Sequence, residues 1–331
     1  MLKSDNQIGK DGASILACSL ANYTSLSNLV LSLEKNQIDA QGASNIGSAI
    51  ANYINLSSLT LDLSCSSLSV QKIGAEGSYG LISALSKCTN LQKLTLFLDN
   101  NELGSQGSIG VGLALSKCIN LSFLGLYLCN NQIDGQGIQE LGSALVKCSN
   151  LSSLHLNLFG NQIRDQGASN LGSALVNLVN LQTLILELSL NEISNAGASG
   201  LCQGLISSPM LLNLDLYFYQ NKVDALGVSN LGSALSKYKK LTNLKIDLND
   251  NKFGNDGESG LCSFLANSTS IQNLKLEFSG NLIKQKATQV LGSALTSCID
   301  LTNLTLSLRQ QGCIRFIFLF IKLSQNLKFG T

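Results

Sequence analysis

Leucine returns along this chain on a fixed beat. Starting from Leu121, the pattern L-x-x-L-x-L-x-L-x-x-N reappears at Leu151, Leu181, Leu211, Leu241, Ile271 and Leu301, and backwards at Leu91, Leu56 and Leu26. Every step is 30 residues except that from 56 to 91, which is 35. Apolar and other residues alternate with period two in this part of the unit, which predicts a strand half buried on one face. The fourth position is leucine in all ten units, Leu29 to Leu304; the sixth is leucine in nine and Ile246 in the other. After the strand the apolar spacing changes. Leu141, Ala144, Leu145 and Cys148 fall at i, i+3, i+4 and i+7, the stripe of an amphipathic helix. Strand and helix therefore alternate ten times, and the first helix is expected over roughly Ala13 to Ala21.

One such unit cannot bury its own apolar face, so neighbouring units stack. An asparagine closes most strands, from Asn6 and Asn36 through Asn101, Asn131, Asn161, Asn191, Asn221 and Asn251 to Asn281. Their amides are expected to satisfy backbone groups at a turn. The unit resembles the leucine-rich repeat of the ribonuclease-inhibitor-like type. From the asparagine onward the match is position for position, at Asn131, Ile133, Gly137, Leu141 and Leu145. The strand departs from the family pattern, with ten residues rather than eight before the asparagine and an additional leucine such as Leu128. A shift of two keeps the same side chains on the same face. The resemblance implies an α/β horseshoe, with a parallel sheet on the concave side and helices on the convex side.

Residues 1–310 are expected to form one solenoid of about ten repeats. The unit at Leu56 carries five additional residues within SCSSLSVQKIGAEG, a rim loop that places Gln71 at the asparagine position. The atypical tail, 311–331, contains the apolar run Cys313 to Leu323. It is either a hydrophobic cap or read-through past a splice site. At the other end the chain starts within a unit, as a regulatory arm cut from a kinase or nucleotide-binding protein would.

Hydrophobic residues make up 44% of the 331, enough for a large core, while charged residues are 13% and the net charge is +1. That balance does not point to nucleic acid or to a charged membrane surface. No apolar run reaches the ~18 residues of a membrane span, and no secretory signal is visible. Ten cysteines without a C-x-x-C pair fit a reduced, cytoplasmic setting. A monomer without cofactor or metal is expected. His155, the only histidine, has no repeated acidic partner, so no catalytic residue is assigned. Cys88, Cys118 and Cys148 share one repeat position, filled elsewhere by Tyr53 and Leu178. They are expected to be packing thiols, because cysteine is among the most buried residue types.

What varies from unit to unit is the outward side of the strands. One row includes His155, Asp215 and Lys245; a second includes Phe97, Tyr127, Asn157, Glu187, Tyr217, Asp247 and Glu277; a third includes Asp99, Cys129, Phe159 and Tyr219. Phe97, Tyr127 and Phe159 lie in successive units and are expected to form an aromatic patch, with Tyr217 and Tyr219 making a second one. Exposed aromatics with a polar surround are what protein-binding hot spots use. The expected function is a non-catalytic scaffold holding a protein partner on the concave face, through Phe97, Tyr127, Phe159, His155, Glu187, Asp215, Tyr217, Tyr219, Lys245 and Asp247. The resemblance also implies an alternative, a regulator of a small GTPase, for which Arg164 would be the exposed arginine.

Overall fold

A computed structural model describes residues 6–208, 210–254, 258–283 and 285–309; the 311–331 tail lies outside them. Ten strands, Asn28–Ser32 (β1), Ser58–Asp62 (β2), Lys93–Phe97 (β3), Phe123–Tyr127 (β4), Ser153–Asn157 (β5), Thr183–Glu187 (β6), Asn213–Tyr217 (β7), Asn243–Asp247 (β8), Asn273–Glu277 (β9) and Asn303–Ser307 (β10), form one parallel sheet in sequence order. The helices are Gly9–Leu20 (α1), Ala40–Ile50 (α2), Gly74–Leu85 (α3), Gly104–Leu115 (α4), Gly135–Leu145 (α5), Arg164–Leu175 (α6), Asn195–Leu205 (α7), Ala225–Leu235 (α8), Glu258–Leu265 (α9) and Gln285–Leu295 (α10). The first helix thus begins four residues before the apolar stripe that predicted it, at Gly9, whose φ of +60° suits glycine. Among the described helices each neighbours the one before and the one after it, and their buried sides share one core with the strand leucines. Strands pair ~4.8 Å apart and helices ~8–10 Å apart, so the stack curves with the sheet inside. The architecture is a leucine-rich-repeat solenoid.

Register follows the 30-residue step. Leu94 pairs with Leu124, Leu124 with Leu154 and Leu154 with Leu184, so each leucine position becomes a buried file running the length of the sheet. The additional leucine is core as well: Leu98, Leu128, Leu158 and Leu188 are fully buried. Ladder bonds continue past each strand, from Leu98 N to Tyr127 O and from Asn100 N to Cys129 O. The two additional residues therefore lengthen the paired segment and leave the faces unchanged.

The asparagines knit successive coils. Asn131 Oδ1 accepts from Asn101 N (2.9 Å) and Leu103 N (3.3 Å), while its Nδ2 donates to Leu98 O (2.9 Å) and Cys129 O (3.1 Å). Asn161 does the same for the next turn. At the insertion the ladder changes hands. Gln71 is exposed and stays out of it; instead Cys65 Sγ donates to Asn101 Oδ1 at 3.0 Å. The inserted loop is held by Lys72 Nζ, which donates to Ser66 O and Asn100 O.

Cys88, Cys118 and Cys148 are buried, and the structure gives two of them a further task. Cys88 Sγ donates to Ile50 O and Cys148 Sγ to Leu115 O, each the last carbonyl of the helix one coil earlier, α2 and α4. Tyr53 Oη reaches Leu20 O (2.7 Å), Tyr238 Oη reaches Leu205 O and Cys298 Sγ reaches Leu265 O. Five residues of this slot therefore supply a donor to a helix C-terminus, while Leu178 fills it by packing alone. Burial pushes the Cys88, Cys118 and Cys148 thiols up to about 11, 12 and 11.

Candidate functional site

The outward rows form as the alternation predicts. Phe97 is opposite Tyr127, Tyr127 opposite Asn157, Asn157 opposite Glu187, Glu187 opposite Tyr217, and Tyr217 opposite Asp247. In the row beside it, His155 and Asp215 flank Ile185, and Asp215 faces Lys245. All ten expected residues lie on this face, each half-buried by its neighbours.

The aromatic patch has a defined geometry. The Phe97 and Tyr127 rings stack with centroids 4.3 Å apart and planes 17° from parallel. Phe123, at the start of β4, meets the edge of His155 at 5.0 Å and 71°. Gly125 makes room between them. A methyl group there would come within 3.4 Å of the Tyr127 ring and 3.5 Å of the Phe123 ring, so a larger side chain would displace both. Phe159 follows in the third row, with its backbone N–H bonded to Asn157 Oδ1 (3.1 Å). A stacked pair gains ~0.5–1.5 kcal/mol beyond its buried area. Phe97 and Tyr127 thus contribute something to the fold as well as to the surface.

Polar residues of these rows also serve the backbone. Where the strand ends, third-row N–H groups point away from the ladder and take side-chain acceptors. Ser64 N donates to Asp62 Oδ1 (3.0 Å), Cys129 N to Asp99 Oδ1 (2.7 Å), Ser189 N to Glu187 Oε1 (2.8 Å), Tyr219 N to Ser189 Oγ (3.0 Å) and Asn249 N to Asp247 Oδ1 (2.9 Å). Sequence reasoning assigned Glu187 and Asp247 to a partner alone. The signal for their second role was in the chain: acceptor side chains recur two residues before, or one coil behind, the N–H that needs them.

Burial on the inner surface shifts the charges. Desolvation raises the Asp99, Glu187, Asp215 and Asp247 carboxyls above their ordinary values. It lowers His155, keeping the imidazole neutral near pH 7. His155 Nε2 lies 3.3 Å from Ser153 Oγ, and no carboxylate is bonded to the ring. In the second patch Lys245 Nζ sits 4.3 Å from the Tyr217 ring centroid, and Tyr217 Oη is 3.5 Å from Asp215 Oδ2. Lys275 pairs with Glu277 at 2.9 Å.

Arg164 opens α6 on the rim with φ +55°. Its Nε is 3.8 Å from Glu192, which Lys222 also holds at 3.2 Å. The insertion presents Leu68 and Val70, 91% and 93% exposed, beside that same rim. Among the described residues no group of three or more His, Cys, Asp or Glu side chains could hold a metal ion. None of their helices is long and apolar enough to cross a membrane. An internal cavity lined by Leu201, Cys202, Phe218 and Leu248 measures about 10 Å³, room for one water and not for a substrate.

No protein-family model matches the chain, and a search of curated proteins finds no match. Solved structures do resemble it. An internalin (inlF) from Listeria monocytogenes str. 4b F2365 shares 20% identity over 87% of this chain and 76% of its own, with a TM-score of 0.42. The Rad7 and Elc1 complex in yeast gives 16%, 90%, 75% and 0.40. Actin-binding site 2 of leiomodin-1 gives 14%, 50%, 89% and 0.36. At these identities the likeness concerns architecture alone.

Proposed function

We propose that this solenoid is a non-catalytic scaffold that binds a protein partner on the concave sheet face, with Phe97, Tyr127 and Phe159 as anchors. One observation carries the reading: the Phe97–Tyr127 stack on a sheet face that no other described element packs against, where inward positions are constant and outward ones vary. Large half-buried rings lose little rotamer freedom on binding and gain much contact area. Glu187, Asp215, Tyr217, Tyr219, Lys245, Asp247 and His155 extend the surface. The side chains of the face suit recognition more than catalysis. Its histidine lacks an orienting acid, and its carboxylates already accept from backbone N–H groups, from lysine or from the Tyr217 hydroxyl.

The test is the triple variant Phe97→Ala, Tyr127→Ala, Phe159→Ala in affinity capture with the intact chain. Loss of at least one wild-type partner from a variant with native circular dichroism is the expected result. Truncating a hot-spot anchor weakens binding by ~2 kcal/mol or more, a roughly 30-fold change. A folded variant that retains every wild-type partner refutes the assignment.

A further inference from the structure

The repeat allows one part of the face to be compared with another. Around β7 and β8, Tyr217 has an acidic neighbour, Asp215, and a lysine from the next coil: Lys245 faces Asp215 in register and lies over the ring. This surface therefore takes an alkylammonium group over a ring, on the strand beside a carboxylate. Around β3 to β6 the same components recur without the cation. Phe97, Tyr127 and Phe159 supply rings, and Asp99 and Glu187 supply carboxylates at the two ends. The three outward rows across those four coils contain no lysine or arginine. Lys93 stands one outward position before the first row, and His155 is neutral.

We propose that the Phe97–Tyr127–Phe159 patch, framed by Asp99 and Glu187, takes a segment of a partner protein that carries two lysine or arginine side chains around an apolar middle. Each cation lies over a ring, as Lys245 does within the chain, with a carboxylate beside it. This rests on the reading of the face as a protein-binding surface and adds the partner's chemistry. Asp99 and Glu187 are three coils apart, roughly 14 Å at the spacing of parallel strands. An extended segment crossing the strands spans that distance in about four residues, so the two cations are expected at i and i+4. Each carboxylate uses an oxygen to cap a backbone N–H, which fixes its position before a partner arrives.

Those caps also supply the test. Asn157 performs the same task with an amide oxygen, so Asp99→Asn and Glu187→Gln remove charge while keeping the acceptor. Fluorescein-labelled peptides KLSLK, QLSLQ and ELSLE, each flanked by Gly-Ser, are titrated against the full chain by anisotropy. KLSLK is expected to bind roughly tenfold tighter than QLSLQ and to weaken as salt rises; ELSLE is expected to bind weakest. The double amide variant should bind KLSLK no better than QLSLQ, whereas Glu76→Gln on the outer face of α3 should leave KLSLK binding unchanged. Equal binding of KLSLK and QLSLQ, both lost in Phe97→Ala, overturns the cation inference and leaves the protein-binding reading intact. Full KLSLK affinity in the double amide variant, or no binding by any of the three peptides, also overturns it.

Discussion

Replacing Asn161 with alanine isolates the contribution of one rung of the asparagine ladder. Asn161 is nearly buried. Its Oδ1 accepts from Asn131 N and Ile133 N, both at 3.0 Å, and its Nδ2 donates to Leu128 O and Leu158 O, both at 2.9 Å. Leu158 O keeps a second donor in Asn191 Nδ2. Asn161→Ala therefore orphans three groups: two buried N–H groups and the Leu128 carbonyl. An orphaned buried polar group costs ~1–3 kcal/mol, giving a range of about 3 to 9 kcal/mol. A water entering the vacated space restores part of this, so the expected loss is about 4 kcal/mol. Urea unfolding followed by circular dichroism measures it, with Asn177→Ala as reference. Asn177 is exposed, just past the end of α6, and its side chain donates only to Ser173 O of that helix, so its loss should stay within ~0.5 kcal/mol. An Asn161→Ala loss below ~1 kcal/mol, or one matching the reference, would refute the ladder as the element that satisfies the turn.

Three further outcomes follow from the same geometry. Leu156→Asp buries an unpaired charge and should cost several kcal/mol, whereas Asn157→Asp keeps the acceptor for Phe159 N and should cost ~0.5 kcal/mol or less; equal urea midpoints would contradict the assignment of faces. A thiol reagent at pH 8 should modify exposed Cys18 quickly and Cys88, Cys118 and Cys148 only as the protein unfolds, because burial holds those three thiols near 11 to 12; rapid native labelling of any of them would disprove their burial. Glu187 has a raised folded pKa, so its favourable contribution is fully present below the unfolded value and is lost as pH rises through the folded value; Glu187→Gln should be the more stable protein at pH 7 by urea midpoint, with a gap that closes toward pH 4, and a gap that widens on acidification would reverse the sign.

The 30-residue step determines much of this structure before any coordinates. A constant leucine every second position, read against variable neighbours, separates core rows from surface rows, and the register then follows without further information. The outward residues were legible as a list but not in their roles. That Glu187 and Asp247 also cap backbone N–H groups depends on the dihedral angles where each strand ends, and the leucine pattern does not encode those. The slot shared by Tyr53, Cys88, Cys148 and Tyr238 read as a packing position because its residues differ in size; what unites them is a donor aimed at a helix end. Likewise Cys65 enters the ladder, although an alignment by spacing puts Gln71 there. Its thiol donates to Asn101 Oδ1, where the regular coils use the backbone N–H of the preceding asparagine.

The ladder has a direction. Asn131 completes the turn at Asn101, Asn161 completes the turn at Asn131, and Cys148 closes the helix that ends at Leu115. In each case the side chain that finishes a coil lies about 30 residues downstream of it. During synthesis, then, a newly emerged coil holds open hydrogen-bonding groups until its successor leaves the ribosome. Shortened chains should differ accordingly: removing coils from the front leaves every remaining ladder rung supplied, whereas removing them from the back strips the new terminal coil of the residues that close it.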